Sequence, residues 1–242
     1  MKQIHHYLAS KQIGIASHGF FARLERDQPF ESAMAFAPVL TFWVFAFQDI
    51  LRLNETRVLD PKLRKIARHH RAEDKGHEVW FMNDVAELDP TPRDFRWLFG
   101  PGHRETREAA YALMSEVFRA DDDQVRIVLL LTLESAGHIF FERIARFVAR
   151  HDLSERLQYF SHHHLAAEKD HELFEVEMMK ALDVELAPTV RAKALAMIDR
   201  CYEAFNQLFC ALEAGLSQRP SAVSARPSDP SKGERAVSDL GD

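Results

Sequence analysis

The chain has 242 residues and a formal net charge of −6, from 31 Lys and Arg against 37 Asp and Glu. That length is ample for one globular domain with a sizeable core, and acids and bases are interspersed, so there is no basic stripe to neutralise nucleic-acid phosphates and nucleic acid is not expected as a partner. Cys201 and Cys210 fit neither a zinc knuckle nor a redox Cys-x-x-Cys pair, and the opening Met-Lys-Gln-Ile-His-His lacks the apolar core and cleavage site of a secretory signal; a reduced, cytoplasmic protein is expected.

Apolar residues recur at intervals of three and four throughout, and alternating strand patterns are absent, which predicts an all-α fold. A first helix is expected from about His5 to Glu25, stopping before Pro29, and a second from about Glu31 to Leu53. Within the second, Ala33 to Phe47 is almost wholly apolar but contains Pro38 and falls short of the ~20 residues of a membrane span. It is expected to be a buried core helix or subunit contact, with a membrane-touching or greasy-substrate-facing surface as the alternative, and no transmembrane span is expected. Asp60-Pro61 combines a capping acid with proline at the first helical position and opens a helix to about Leu88. After Asp89-Pro90-Thr91-Pro92, a short helix should hold Phe95 to Phe99 and end at Gly100-Pro101-Gly102. Helices over Arg104 to Arg119, from Asp121-Asp122-Asp123 to about Arg150, from about Glu155 to Leu182, and from Pro188 to about Leu216 complete the set. The expected domain is 1–216; residues 217–242, rich in Ser, Pro, Arg, Gly and Asp, are expected to form a disordered tail.

Chemistry-bearing residues gather in three of these helices. His70, Glu73, Asp74 and His77 lie within about one third of one helix circumference. In a continuous helix His70 and His77 would be ~10.5 Å apart along the axis, so they suit opposite ends of a two-metal cluster or a helix bent at Gly76. Glu134 sits in an otherwise apolar run, Leu129 to His138, where an unpaired carboxylate would be costly; His138 and Glu142 follow at intervals of four, either as groups that orient a ligand by hydrogen bonding or as an ordinary buried hydrogen-bonding pair. His164, Glu168 and His171 share one face of the next helix, whereas His162 and His163 point elsewhere. Mixed imidazole and carboxylate donors suit iron, manganese or zinc.

The ordered set of His77 with its neighbouring acids, then Glu134, then His-x3-acid-x2-His at His164, Glu168 and His171, resembles the haem-oxygenase-like di-iron oxidases and oxygenases over most of the chain. The resemblance implies a seven-helix haem-oxygenase-like bundle, a homodimer, two Fe(II) per chain with manganese as an alternative, and use of dioxygen to oxidise a small organic substrate. It assigns metal ligation to His77, Glu134, His164, Glu168 and His171. Several members carry a carboxylate seven residues before the first-helix His, where this chain has His70, and others three residues before it, where it has Asp74. The remaining first-helix ligand is therefore open among His70, Glu73 and Asp74.

Four other readings compete, of which a true haem oxygenase, with one proximal His at His5, His6 or His18, would leave the three interior clusters without purpose. A ferritin-like four-helix di-iron protein uses acid-x2-His pairs, which Asp74/His77 and Glu168/His171 match, but it needs a ligand Glu in the apolar second helix, which has none there. Thiaminase-type aminohydrolases share the helical fold and work through a cysteine nucleophile without metal, yet both cysteines here follow all the His/acid clusters. A non-catalytic, metal-stabilised helical interaction module would also account for the clusters.

Overall fold

A computed structural model describes residues 2–167 and 186–216, and among them every regular element is helical. The chain begins with α1 (Lys2–Ala16) and α2 (Gly19–Leu24). The single first helix expected from the periodicity is broken at Ser17-His18, because the His18 side chain turns back to accept the Phe20 N–H at Nδ1, 3.0 Å away, and so caps a new helix. The expected second helix is likewise divided into α3 (Phe30–Ala33), a 3-10 turn at Ala37–Leu40 that accommodates Pro38, and α4 (Thr41–Arg57). The stretch Phe30–Arg57 is apolar enough to span a membrane by composition. Here it is interrupted, and Met34, Phe36, Ala37, Leu40, Trp43 and Val44 are buried in the protein core.

Asp60 and Pro61 start a helix as their chemistry demands: Asp60 Oδ1 accepts the N–H groups of Lys62 and Leu63 at 2.8 and 3.0 Å. This helix does not run on to Leu88. It ends as α5 (Pro61–Asp74), Gly76 adopts φ +104°, and α6 (His77–Leu88) sets off anew. A positive φ is open to glycine and costly for a residue with a Cβ. The break therefore makes His77 the first residue of its own helix.

The short α7 (Phe95–Leu98) is capped by Asp94, whose Oδ1 accepts the Trp97 N–H, and a 3-10 turn at Pro101–His103 leads into α8 (Arg104–Arg119). Asp122 caps α9 (Asp123–Ala149) through the Gln124 N–H, while Asp123 Oδ2 accepts the N–H groups of Leu59 and Asp60 and ties the start of α9 to the α4–α5 corner. Asp152, at φ +56°, closes the turn after α9. Helix resumes as α10, residues 162–167 as far as described, rather than at Glu155. Ser161 Oγ accepts the His163 N–H there, a capping contact that fixes the later start. The rest of that expected helix and the expected disordered tail lie outside the described residues. The last element is α11 (Pro188–Gly215).

Helix α9 is buried from Val125 through Leu133 and again at Ala136, Phe140 and Ile144. It packs against α1, α5 and α11; α11 also packs on α8, and α4 bridges α5 and α8. Phe20, Phe36, Phe140 and Phe209 interlock beneath α9 with ring centroids 5.0–6.3 Å apart. Such rings bury large apolar areas and dominate core energetics.

Since an added Cβ at Gly76 would meet no atom of the described residues within 4 Å, the cost of Gly76→Ala is conformational. The substitution should lower unfolding free energy by about 1–2 kcal/mol. Urea denaturation of the two proteins measures it; equal midpoints would mean that the α5–α6 break does not depend on the left-handed residue.

Candidate functional site

Four of the residues singled out from the sequence, Asp74, His77, Glu134 and His164, line one cavity with about 710 Å³ of empty space including its mouth. The four come from α5, α6, α9 and α10, so the helices converge as their spacing implied.

The polar groups are held in a definite order. His70 on α5 is fully buried, and its Nε2–H donates to Glu134 Oε1 on α9 at 2.5 Å; an ionised carboxylate can only accept. Across the Gly76 break, His77 Nδ1–H donates to Asp74 Oδ1 at 3.1 Å, and the other Asp74 oxygen accepts the Gln48 side-chain amide at 2.5 Å. His164 stands against His77 with ring centroids 4.4 Å apart and against Phe141 at 3.7 Å.

Burial, reinforced by the neighbouring His77, pushes the His164 imidazole down to about 3, against the smaller upward pull of Asp74, the Tyr159 carbonyl and Glu134. His164 is thus neutral at physiological pH. Its Nδ1–H donates to the Tyr159 carbonyl at 3.1 Å, which places the ring's lone pair on Nε2. In His77 the Asp74 contact puts the lone pair of the neutral ring on Nε2 in the same way. Imidazoles whose Nδ1–H is held by an oxygen acceptor are the usual form of metal-bound histidine.

The structure also separates the first-helix candidates. Asp74 lines the cavity and holds His77, whereas Glu73 accepts from the exposed His69 at 3.0 Å and is not among the lining residues. His70 reaches the cavity through Glu134. His138 is exposed on α9, and Glu142 pairs with Arg146 at 2.6 Å; neither is among the described residues lining the cavity. Glu168 and His171 lie outside the described residues. Among the described residues no three His, Cys, Asp or Glu side chains gather closely enough to hold a metal ion by themselves. Among the described donors His70 bonds Glu134 and Asp74 bonds His77, with the His164 ring set against His77.

Three contributors were missed from the sequence. Gln48 anchors Asp74. Tyr159 acts through its backbone carbonyl, for which the sequence carries no signal. Asp84, buried on α6 between Phe81 and Val85, accepts the Gln158 and Phe160 N–H groups at 2.9 and 3.0 Å. It fastens to α6 the turn that presents Tyr159 and His164. Burial raises its carboxyl above the usual carboxylate range, although these backbone N–H groups pull the other way. An acid between buried apolar positions was the signal that singled out Glu134, and Asp84 carries the same one.

No protein-family model matches the chain, and no curated protein matches it.

Removing the Asp84 carboxylate strands two backbone donors beneath the site. Asp84→Ala should cost about 2–4 kcal/mol of stability, counted as two desolvated N–H groups. Asp84→Asn, which keeps one acceptor oxygen but opposes an NH2 to an N–H, should fall between. Thermal unfolding of the three proteins provides the comparison, and coincident transitions would show that the turn is held by other means.

Proposed function

We propose that the protein is a non-haem, metal-dependent oxidase or oxygenase that acts on a small organic substrate, with a di-iron centre at the polar end of the cavity. The observation that carries this reading is the cavity itself: nitrogen and oxygen donors from four helices at one place, with Leu, Phe and Trp side chains forming most of the remaining wall. This donor set fits iron and would also accept manganese. His77, Glu134 and His164 would hold the metal together with Glu168 and His171 of the sequence motif, and Asp74 is the first-helix carboxylate best placed to join them. When bound, iron would supply dioxygen activation and the redox capacity for substrate oxidation.

The chain's own residues supply position and exclusion. Asp74 and the Tyr159 carbonyl fix the orientation of the two imidazoles, and His70 holds Glu134. Phe141, against His164, and Trp80, stacked on His77 at 4.7 Å, shield the rings from water. The aromatic wall from α4, α9 and α11 would receive the apolar part of a substrate. Leu40, Trp43, Val44 and Phe47 belong to that wall, which favours a substrate-facing role for part of the apolar α4 region. The same reading carries the seven-helix haem-oxygenase-like bundle, a homodimer and a cytoplasmic location.

The cysteine-nucleophile alternative gains no support from this geometry. Cys201 is buried against Met197, its thiol driven far upward by burial, and Cys210 is exposed beside His18; neither lines the cavity. A thiol that stays protonated is a poor nucleophile.

Anaerobic ferrous reconstitution followed by iron analysis should give about two irons per chain, as in di-iron carboxylate proteins. His77→Ala and Glu134→Ala should each lower that content, whereas His138→Ala should leave it unchanged. Iron near zero in the unmodified protein would sink the proposal.

A further inference from the structure

The cavity wall contains a residue that helix physics disfavours. Gly137 lies in the interior of α9, where glycine is less favourable than alanine because it loses more backbone freedom on folding. Its backbone needs no glycine, since the only glycine at positive φ among the described residues is Gly76. Nor does packing among the described residues demand one. A Cβ added at Gly215 would approach Val39 Cγ2 at 3.1 Å and one at Gly19 the Glu213 carboxylate at 3.0 Å, whereas a Cβ at Gly137 would meet nothing within 4 Å among the described residues. What Gly137 does border is the cavity, on the same wall as Glu134. Residues three apart share a helix face, so a side chain at 137 would grow into the space beside that carboxylate.

We propose that Gly137 is the specificity-determining residue of this cavity, keeping open the passage in which the hydrocarbon body of a substrate lies past Glu134. The substrate class follows from the wall. Phe140, Phe141, Phe205 and Phe209 line the same cavity, and Gln48, Asp74, His77, Glu134, Tyr159 and His164, with the Trp43 indole N–H, are the described lining groups that could hydrogen-bond. A sugar or nucleotide would set many of its polar groups against the apolar side chains that make up most of the described lining. An aliphatic or single-ring aromatic compound with one oxidisable end fits. This inference rests on the oxidase reading for the reaction but not for the binding.

The test uses n-octanol as an alkyl probe, titrated calorimetrically into the full chain and into Gly137→Ala, Gly137→Leu and Gly14→Ala. Gly14 is exposed within α1, and a Cβ there would likewise meet nothing within 4 Å among the described residues, so it controls for helix propensity alone. Both alanine variants should melt a few degrees higher than the parent. Gly137→Leu should weaken n-octanol binding by about tenfold or more, the scale on which extra carbons in a filled pocket discriminate; Gly137→Ala should weaken it less, and Gly14→Ala not at all. A Gly137→Ala protein that melts lower, or a folded Gly137→Leu protein that binds n-octanol like the parent, overturns the proposal. Failure of the parent to bind the probe overturns it too, whatever its iron content. Gly137-dependent binding in a chain that takes up no iron would uphold this inference while removing the di-iron reading.

Discussion

A carboxylate on the most deeply packed helix must be given a partner, and the arrangement around α9 follows from that constraint. Glu134 sits one position beyond the unbroken buried run Val125 to Leu133 and keeps 18 % of its side chain exposed, at the cavity. One partner is His70, fully buried on α5. Removing either member of such a pair leaves an uncompensated polar group, and the penalty for that exceeds the gain from forming the pair. The His70–Glu134 contact therefore says more about where α5 must lie than about how much stability it adds. With α5 fixed against α9, the α4–α5 corner is brought to the start of α9, where Asp123 accepts two of its backbone N–H groups.

Much of this was legible in the sequence wherever the chain uses short-range chemistry. Asp60-Pro61, the Asp121-Asp122-Asp123 run and Pro188 each mark a helix start, and α8, α9 and α11 lie within a residue or two of the spans expected from periodicity. The convergence of Asp74, His77, Glu134 and His164 was legible for a different reason: ionisable groups on apolar helix faces are costly unless they meet. Where the expectation failed, the deciding interaction was of another kind. His18 caps α2, a role more often filled by Ser, Thr, Asp or Asn. Gly76 is tolerated within a helical pattern, so the sequence allowed either a bend or a full break. Ser161 is a plausible cap from its chemistry, but nothing local removes Glu155 to Phe160 from a helix. Asp84, remote in sequence, takes up two of their N–H groups.

The site is thus assembled from groups that propensity alone would not place. Asp74 bridges Gln48 of α4 and His77 of α6 across the α5–α6 break, so a single carboxylate joins three helices. It also holds the His77 tautomer. His164 is kept neutral by burial, and a neutral imidazole with its Nδ1–H engaged needs no proton loss before it can donate from Nε2. The chain meets the desolvation cost of this site in the folded protein rather than on arrival of a ligand, the sense in which a binding constellation is preorganised.

That preorganisation depends on one rigid element. Helix α6 begins at His77 and carries Asp84 two turns later, and Asp84 holds the backbone on either side of Tyr159, whose carbonyl in turn holds His164. The first imidazole is therefore placed by the start of α6 and the second by its interior, through the turn at 158–160. A helix of this length keeps its internal distances far better than a loop does, so the spacing of the two rings is tied to the geometry of a single helix even though they are 87 positions apart in the chain. Gly76 sets where that helix begins. The left-handed residue and the buried Asp84 act at the two ends of one lever, and His77 and His164 meet because both are fixed to it.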